Sequence, residues 1–166
     1  VDSMVIVWVD FNRFRAVLTD CSVVRMIRAN SLRPVTICPG ISLILPYWDR
    51  QEAANQAFAT LEQYKDLDLE VIVVDDGNKV PFKCPQTALN VRVVRLPEKD
   101  DPTPQSKAWN AGVKAAKGEI IVLSCVEILH VKPVLGAMLD SLKEGNDYVL
   151  ASTYCPELDE WQVRSD

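Results

Sequence analysis

The stretch Val71-Ile72-Val73-Val74-Asp75-Asp76-Gly77-Asn78 decides how this chain is read. Four β-branched apolar residues run directly into two carboxylates and a glycine. A strand apolar on both faces belongs in the middle of a parallel sheet. The carboxyl end of such a strand is where open α/β sheets bind ligands, and the two acids fall there. Gly77 permits a tight turn, and Asn78 tolerates unusual backbone angles.

Regular structure extends outward from this strand. Upstream, Ile41 to Leu45 reads as a short apolar strand ended by Pro46. Asp49 is placed to cap a following helix, with Glu52 able to reach back, and Ala54, Ala57, Phe58, Leu61 and Tyr64 keep helical spacing. Downstream, Val91 to Leu96 reads as a third strand. Thr103 is placed to cap a helix with Pro104 in its first turn, and Gly118 stops it. Glu119 to Leu123 is a fourth strand, Pro133 to Lys143 a helix, and Asp147 to Ala151 a last strand. Strands alternating with helices imply parallel pairing through right-handed crossovers. Residues 1–40 give mixed signals: Met4 to Val9 reads as a strand, and Arg13 to Asn30 as a strand and short helix or one helix. The expected organisation is an N-terminal extension of unassigned role over 1–40 and one ligand-binding domain over 41–166.

Composition narrows the class. A chain of 166 residues, 48% hydrophobic and 25% charged, suits one core and is too short for two large domains. No apolar run approaches the roughly 20 residues of a membrane helix, and no signal peptide is recognisable. A net charge of -5 argues against general nucleic-acid binding. The five cysteines, Cys21, Cys38, Cys84, Cys125 and Cys155, are odd in number and form no C-x-x-C pair. A disulfide framework or structural zinc is therefore not expected, and a reducing cytoplasm is the simpler setting.

Four constellations carry candidate chemistry. Asp75-Asp76 can accept hydrogen bonds from a nucleotide's base or ribose, or can simply cap a turn. Ser124 to His130 follows the fourth strand. Glu127 there can offer a hard oxygen ligand to a metal bridging a diphosphate, with His130 close enough to join if the backbone curls. An ordinary solvated Glu and a locally bonded His fit the same residues, and Cys125 reads as a small buried side chain. In Gln105 to Gly112, Ala111 and Gly112 suit close approach to the sheet, Lys107 can reach a phosphate, and Asn110 a sugar; an amphipathic helix explains them equally. In Leu45-Pro46-Tyr47-Trp48-Asp49-Arg50 the rings can flank a nucleobase and Arg50 can pair with phosphate, or the segment is a packed turn.

Taken in order, these pieces resemble family 2 glycosyltransferases, which have the GT-A fold. Pro46-Tyr47-Trp48-Asp49-Arg50 is similar to the family's Thr-Tyr-Asn-Arg segment after the first strand. Val74-Asp75-Asp76-Gly77-Asn78 resembles its Val-Asp-Asp-Gly-Ser motif, and Ala108-Trp109-Asn110-Ala111-Gly112 with Ala116-Lys117-Gly118-Glu119 its Ala-x-Asn-x-Gly helix and Ala-x-Gly-Glu closure. The resemblance covers roughly residues 41–150. It implies an α/β, GT-A-like (Rossmann-like), mostly parallel sheet flanked by helices. It also implies a nucleotide-sugar donor, uridine-linked, beside Pro46, Tyr47, Asp49, Arg50, Asp75, Asp76, Gly77, Lys107 and Asn110.

The family's metal motif, Asp-x-Asp, falls on Cys125-Val126-Glu127, so the first Asp is lost and the second is a longer acid. Val126 to His130 is similar to a variant in phage-borne relatives that keep a Glu and a His. The implied metal is Mn or Mg on Glu127 and His130. Asp159 and Glu160 are acids in the direction of the family's catalytic base, which stays unassigned. The chain resembles a donor-binding half, with the acceptor half missing or reduced and a homo-oligomer or completing subunit expected. The competing expectation is a non-catalytic GT-A-like scaffold, such as a module of a phage assembly. A receiver-like or flavin-binding domain ranks below both, because its phosphate loop or downstream Lys finds no place here.

Overall fold

The computed structural model describes residues 5–9, 40–102, 104–144, 148–151, 153–155 and 160–162. The segment Arg13 to Asn30, the cap residue Thr103 and Asp159 lie outside the described residues. In chain order the elements are β1 (Val5–Val9), β2 (Ile41–Tyr47), α1 (Gln51–Leu61) with a 3₁₀ turn (Glu62–Tyr64), β3 (Leu69–Asp75), β4 (Asn90–Arg95), α2 (Gln105–Ala115), β5 (Ile120–Leu123), α3 (Val134–Lys143), β6 (Val149–Ala151), β7 (Thr153–Cys155) and β8 (Glu160–Gln162).

The main sheet runs in the order β4-β3-β2-β5-β1-β6, and β7 and β8 form a separate antiparallel pair. The pairs β4-β3, β3-β2 and β2-β5 are parallel, as expected, although the connection from β3 to β4 contains no helix. The N-terminal strand β1 lies antiparallel between β5 and β6, extending the sheet beyond its parallel part.

The apolar runs are buried on both faces because each face has its own helical cover. Ile41, Leu43, Leu45 and Tyr47 of β2, with Val71 and Val73 of β3, pack with Ala54, Phe58 and Leu61 of α1 and Leu135 and Met138 of α3. Ile44, Ile72 and Val74 point the other way and pack with Ala108 and Trp109 of α2. This is the period-2 alternation of a strand with no face left to water.

The amino-terminal edge of the sheet is closed by a polar lock. Ser42 Oγ donates to Glu70 Oε1 at 2.6 Å, while the Lys117 amide donates to Glu70 and the Gly118 amide to Ser42 Oγ. Arg92 completes it through Glu70 Oε2 at 2.9 Å. The turn between α2 and β5 is thereby fixed, and the opposite, carboxyl edge is left for a site.

Helix α2 approaches the sheet closely at Gly112, as its sequence suggests. A Cβ there would run into Ile44 Cγ2 and lie 3.1 Å from Val74 Cγ2, both buried. Gly136 in α3, by contrast, has nothing within 4 Å of its would-be Cβ. Gly112→Ala should therefore cost about 1–3 kcal/mol by overpacking. Gly136→Ala should gain roughly 0.5–1 kcal/mol from helix propensity. Urea unfolding of the two variants checks the contrast, and equal stabilities would contradict the close approach.

Candidate functional site

The strand order dictates where a cleft opens. From β2 the chain steps to β3 and β4 on one side, then returns to place β5 on the other side of β2. Connections therefore diverge at the carboxyl ends of β2 and β5, the topological switch point where open α/β sheets hold ligands. A cleft lies there, lined by Pro46, Tyr47, Trp48 and Arg50 after β2, Asp76 after β3, Pro102, Gln105 and Ala108 at the start of α2, and Glu127 after β5.

The two adjacent acids have different jobs, since successive side chains on a strand point to opposite faces. Asp75 is 1% exposed and lies outside the cleft lining. Its Oδ1 accepts the Gly77 amide, the Asn78 amide and Asn78 Nδ2 at 3.1–3.2 Å. Its Oδ2 accepts the Phe82 amide at 3.0 Å and Arg95 Nη1 at 2.8 Å. Burial pushes its pKa up, but the Phe82 and Asn78 donors and the Arg95 charge outweigh that and hold it below the ordinary carboxylate value. The carboxylate has no capacity left for a ligand. It instead organises the turn at Gly77, whose φ of 88° favours glycine.

Asp76 is the member of the pair that faces the cleft. Its carboxylate meets Lys99 Nζ at 2.5 Å, and Lys99 Nζ in turn lies 5.7 Å from the centre of the Trp48 ring. Trp48 and Tyr47 bring an aromatic wall to the same side. Tyr47 is buried and edge-on to Phe82 at 5.0 Å. Its hydroxyl pKa is raised by burial and then by the Asp49 and Asp75 charges, so it stays protonated.

Arg50 and Glu127 face each other across the cleft at 3.8 Å, both substantially exposed. Such a pair in water contributes little and exchanges partners readily. Arg50, not Asp49, occupies the N-cap of α1, and no side chain caps the helix. Asp49 takes a left-handed φ of 45° in the turn and is exposed, a conformation Asp tolerates better than most residues. Lys107 and Asn110 are exposed and do not line the cleft; Gln105 and Ala108 of the same helix do.

Glu127 and His130 separate. Glu127 is on the cleft, whereas His130 is 4% exposed and packed edge-to-face on Tyr64 at 5.5 Å, with Nδ1 3.1 Å from the Tyr64 hydroxyl. Cys125 is buried and receives Gln105 Nε2 on its sulfur at 3.0 Å. Among the described residues no three of His, Cys, Asp and Glu are grouped to hold a metal.

The cleft residues to which no role was assigned from the sequence are Pro102, Gln105 and Ala108. The signal for the last two was available. Gly112 marks the sheet-facing side of α2, and positions three or four residues apart share that side.

Two outcomes follow from the buried groups. His130 has its pKa lowered by burial from 6.5 to about 4. The unfolded chain then binds a proton that the folded one refuses as pH falls from about 6.5 to about 4. Stability should drop across that window by about 3 kcal/mol, with no such dependence above it. His130 is the single histidine, so its imidazole NMR signals report directly. Titration near 6.5 would contradict the burial. Asp75→Ala should cost about 2–4 kcal/mol in denaturant unfolding, because it strands the buried amide donors of Gly77, Asn78 and Phe82; a loss under about 1 kcal/mol would show that the loop closes without it.

Comparison with known proteins accords with this arrangement. The sequence pattern of glycosyl transferase family 2 matches residues 42–166. The chain is also similar to a dolichol-phosphate mannosyltransferase of Pyrococcus furiosus, 25% identical over 121 residues. That similarity covers 69% of this chain and 33% of the relative, so the chain spans about a third of that protein's length. No helix among the described residues is long and apolar enough to cross a membrane. With an α/β sheet of the expected parallel core and a family match over most of its length, this chain belongs to glycosyl transferase family 2.

Proposed function

We propose that the cleft at the carboxyl ends of β2, β3 and β5 binds a nucleotide diphosphate sugar, uridine-linked, as donor for glycosyl transfer. The observation that carries this reading is the convergence of Arg50, Asp76, Glu127 and the Tyr47-Trp48 rings on one cleft at the switch point. Each has a role there. The rings flank the base, and Asp76, which borders the cleft beside Lys99, accepts hydrogen bonds from base or ribose. Arg50, released from its exposed pairing with Glu127, turns to the diphosphate.

A divalent metal fits only in a restricted sense. Glu127 is one hard oxygen donor on the cleft, and His130 is turned away to Tyr64. That suits Mg²⁺ or Mn²⁺, which take most of their ligands from phosphate oxygens and water. When bound, such an ion would stabilise charge on the leaving diphosphate. Transfer joins an acceptor hydroxyl oxygen to the anomeric carbon as the bond to the diphosphate breaks, and the hydroxyl proton leaves to a carboxylate base. The relative's name suggests a mannosyl group and a phosphate-bearing acceptor as a class to test, in which an ionised phosphate oxygen attacks in place of the hydroxyl and no base is needed.

A second reading keeps the fold as a non-catalytic scaffold, in a phage assembly or elsewhere. Cys125 favours it, since a buried thiol engaged by Gln105 stands where the family motif begins with an acid.

The test is thermal shift and calorimetry with UDP and manganese. Saturation at about a hundred times Kd should stabilise the folded state by about 2.7 kcal/mol and raise the melting midpoint by several degrees. Asp76→Ala should weaken UDP binding about tenfold with or without metal. Glu127→Ala should remove the gain from manganese and leave metal-free binding intact. No shift with UDP, GDP or either metal would favour the scaffold.

A further inference from the structure

Glu127 sits on a connection, residues 124–133, that has no regular structure. The burial pattern at its far end runs against hydrophobicity. Leu129 is 46% exposed and Val131 81% exposed, while the polar His130 between them is 4% exposed. Apolar side chains are left in water so that an imidazole can be inside, the reverse of the usual sorting. The gain must come from directional bonds, and these are present.

Three residues at the end of α1 and in its 3₁₀ turn hold His130. Thr60 Oγ1 accepts its amide at 3.0 Å, Gln63 Nε2 donates to its carbonyl at 2.6 Å, and Tyr64 Oη meets Nδ1 at 3.1 Å. Tyr64 also donates to the Lys132 carbonyl at 3.2 Å. A phenol has one proton, so at His130 the hydroxyl accepts, and the imidazole carries its proton on Nδ1. The near end of the connection is fastened as well. The Ser124 amide donates to the Ile44 carbonyl at 3.1 Å, Trp109 Nε1 to the Ser124 carbonyl at 3.3 Å, and Val126 is buried in the core. Glu127 is exposed and lies between two anchored ends.

We propose that His130 and Tyr64 are positioning residues that fix Glu127 in the cleft, acting as a clasp between the end of α1 and the connection after β5. The inference rests on the reading of the cleft as a nucleotide-diphosphate site. His130 therefore serves Glu127 through the backbone and not as a second ligand beside it.

A double-mutant cycle on the full chain tests the clasp. UDP affinity with manganese is measured by calorimetry for wild type, Tyr64→Phe, Glu127→Gln and the double variant. Tyr64→Phe alone should weaken binding roughly three- to tenfold, and in the Glu127→Gln background it should cost nothing further. Losses that multiply in the double variant, or unchanged affinity in Tyr64→Phe, would overturn the proposal. Gln63→Leu, a surface change, repeats the test should Tyr64→Phe fold poorly. Amide hydrogen exchange of residues 126–129 in the ligand-free protein gives an independent readout. Faster exchange in Tyr64→Phe supports the clasp, and unchanged exchange overturns it. If wild type binds no UDP at all, the reading of the cleft has failed, and hydrogen exchange alone then decides the clasp.

Discussion

A buried negative charge governs the carboxyl edge of this sheet. Taking a carboxylate out of water costs several kcal/mol unless its lone pairs are used. At Asp75 they are used by donors from one short span: the amides of Gly77, Asn78 and Phe82, the Asn78 side chain and Arg95. Satisfying that charge folds the connection after β3 back on itself and ties the end of β4 to β3. It also delivers Phe82 against Tyr47 and Phe58, with ring centres 5.0 and 6.1 Å apart. Tyr47 forms part of the cleft wall above this cluster. Asp75 turns into the loop and Asp76 to the cleft wall, although both carboxylates are buried.

Three ion pairs at this edge differ in kind. Asp75 is enclosed and bonded on several sides, while Arg95, partly open to solvent, reaches in to it and to the Asn78 carbonyl. Arg50 and Glu127 stand 3.8 Å apart in water and hold each other weakly. Asp76 and Lys99 fall between, close at 2.5 Å but reached by the cleft. On the proposed reading of the cleft, the gradient from fixed to exchangeable charge would let the site be shaped before a phosphate arrives and still yield charges to it. The same reading is compatible with a net charge of -5, because Arg50 and Lys99 are local cations already oriented at this edge.

The parallel core was legible because its signals are local. The β-branched run Val71 to Val74, the short apolar stretch ended by Pro46, and helical spacing through Phe58 and Leu61 report burial without knowledge of neighbours. Non-local pairing was not legible. Nothing in Val5–Val9 says that it lies antiparallel between β5 and β6, since that depends on which strands are left unpaired. At the cleft, the lining draws on the loops that the sequence marked but not on every side chain named on them. Which of Asp75 and Asp76 faces inward depends on the parity of pairing, and a one-residue change of register would exchange them. Asp49 was expected to cap because Asp favours caps, yet the chain needs a left-handed turn there and the cap passes to Arg50. Lys107 and Asn110 were chosen for their chemistry, although Gly112 against Ile44 fixes the face of α2 and leaves both outside.

Helix α1 connects these observations mechanically. It starts at Arg50, on the cleft, and ends in the turn whose Tyr64 bonds to His130, with Gln63 and Thr60 beside it. From His130 the backbone returns in three residues to Glu127, which faces Arg50. The path closes on itself through one rigid helix, one buried imidazole and one exposed ion pair. The exposed pair is the weakest member, and a connection of this shape would let it wander if the far end were free. Placing the directional bonds at His130, and accepting exposed Leu129 and Val131 to do so, moves the constraint away from the cleft. Glu127 can then exchange Arg50 for another partner without the loop losing its place, because what holds the loop is not what the ligand displaces.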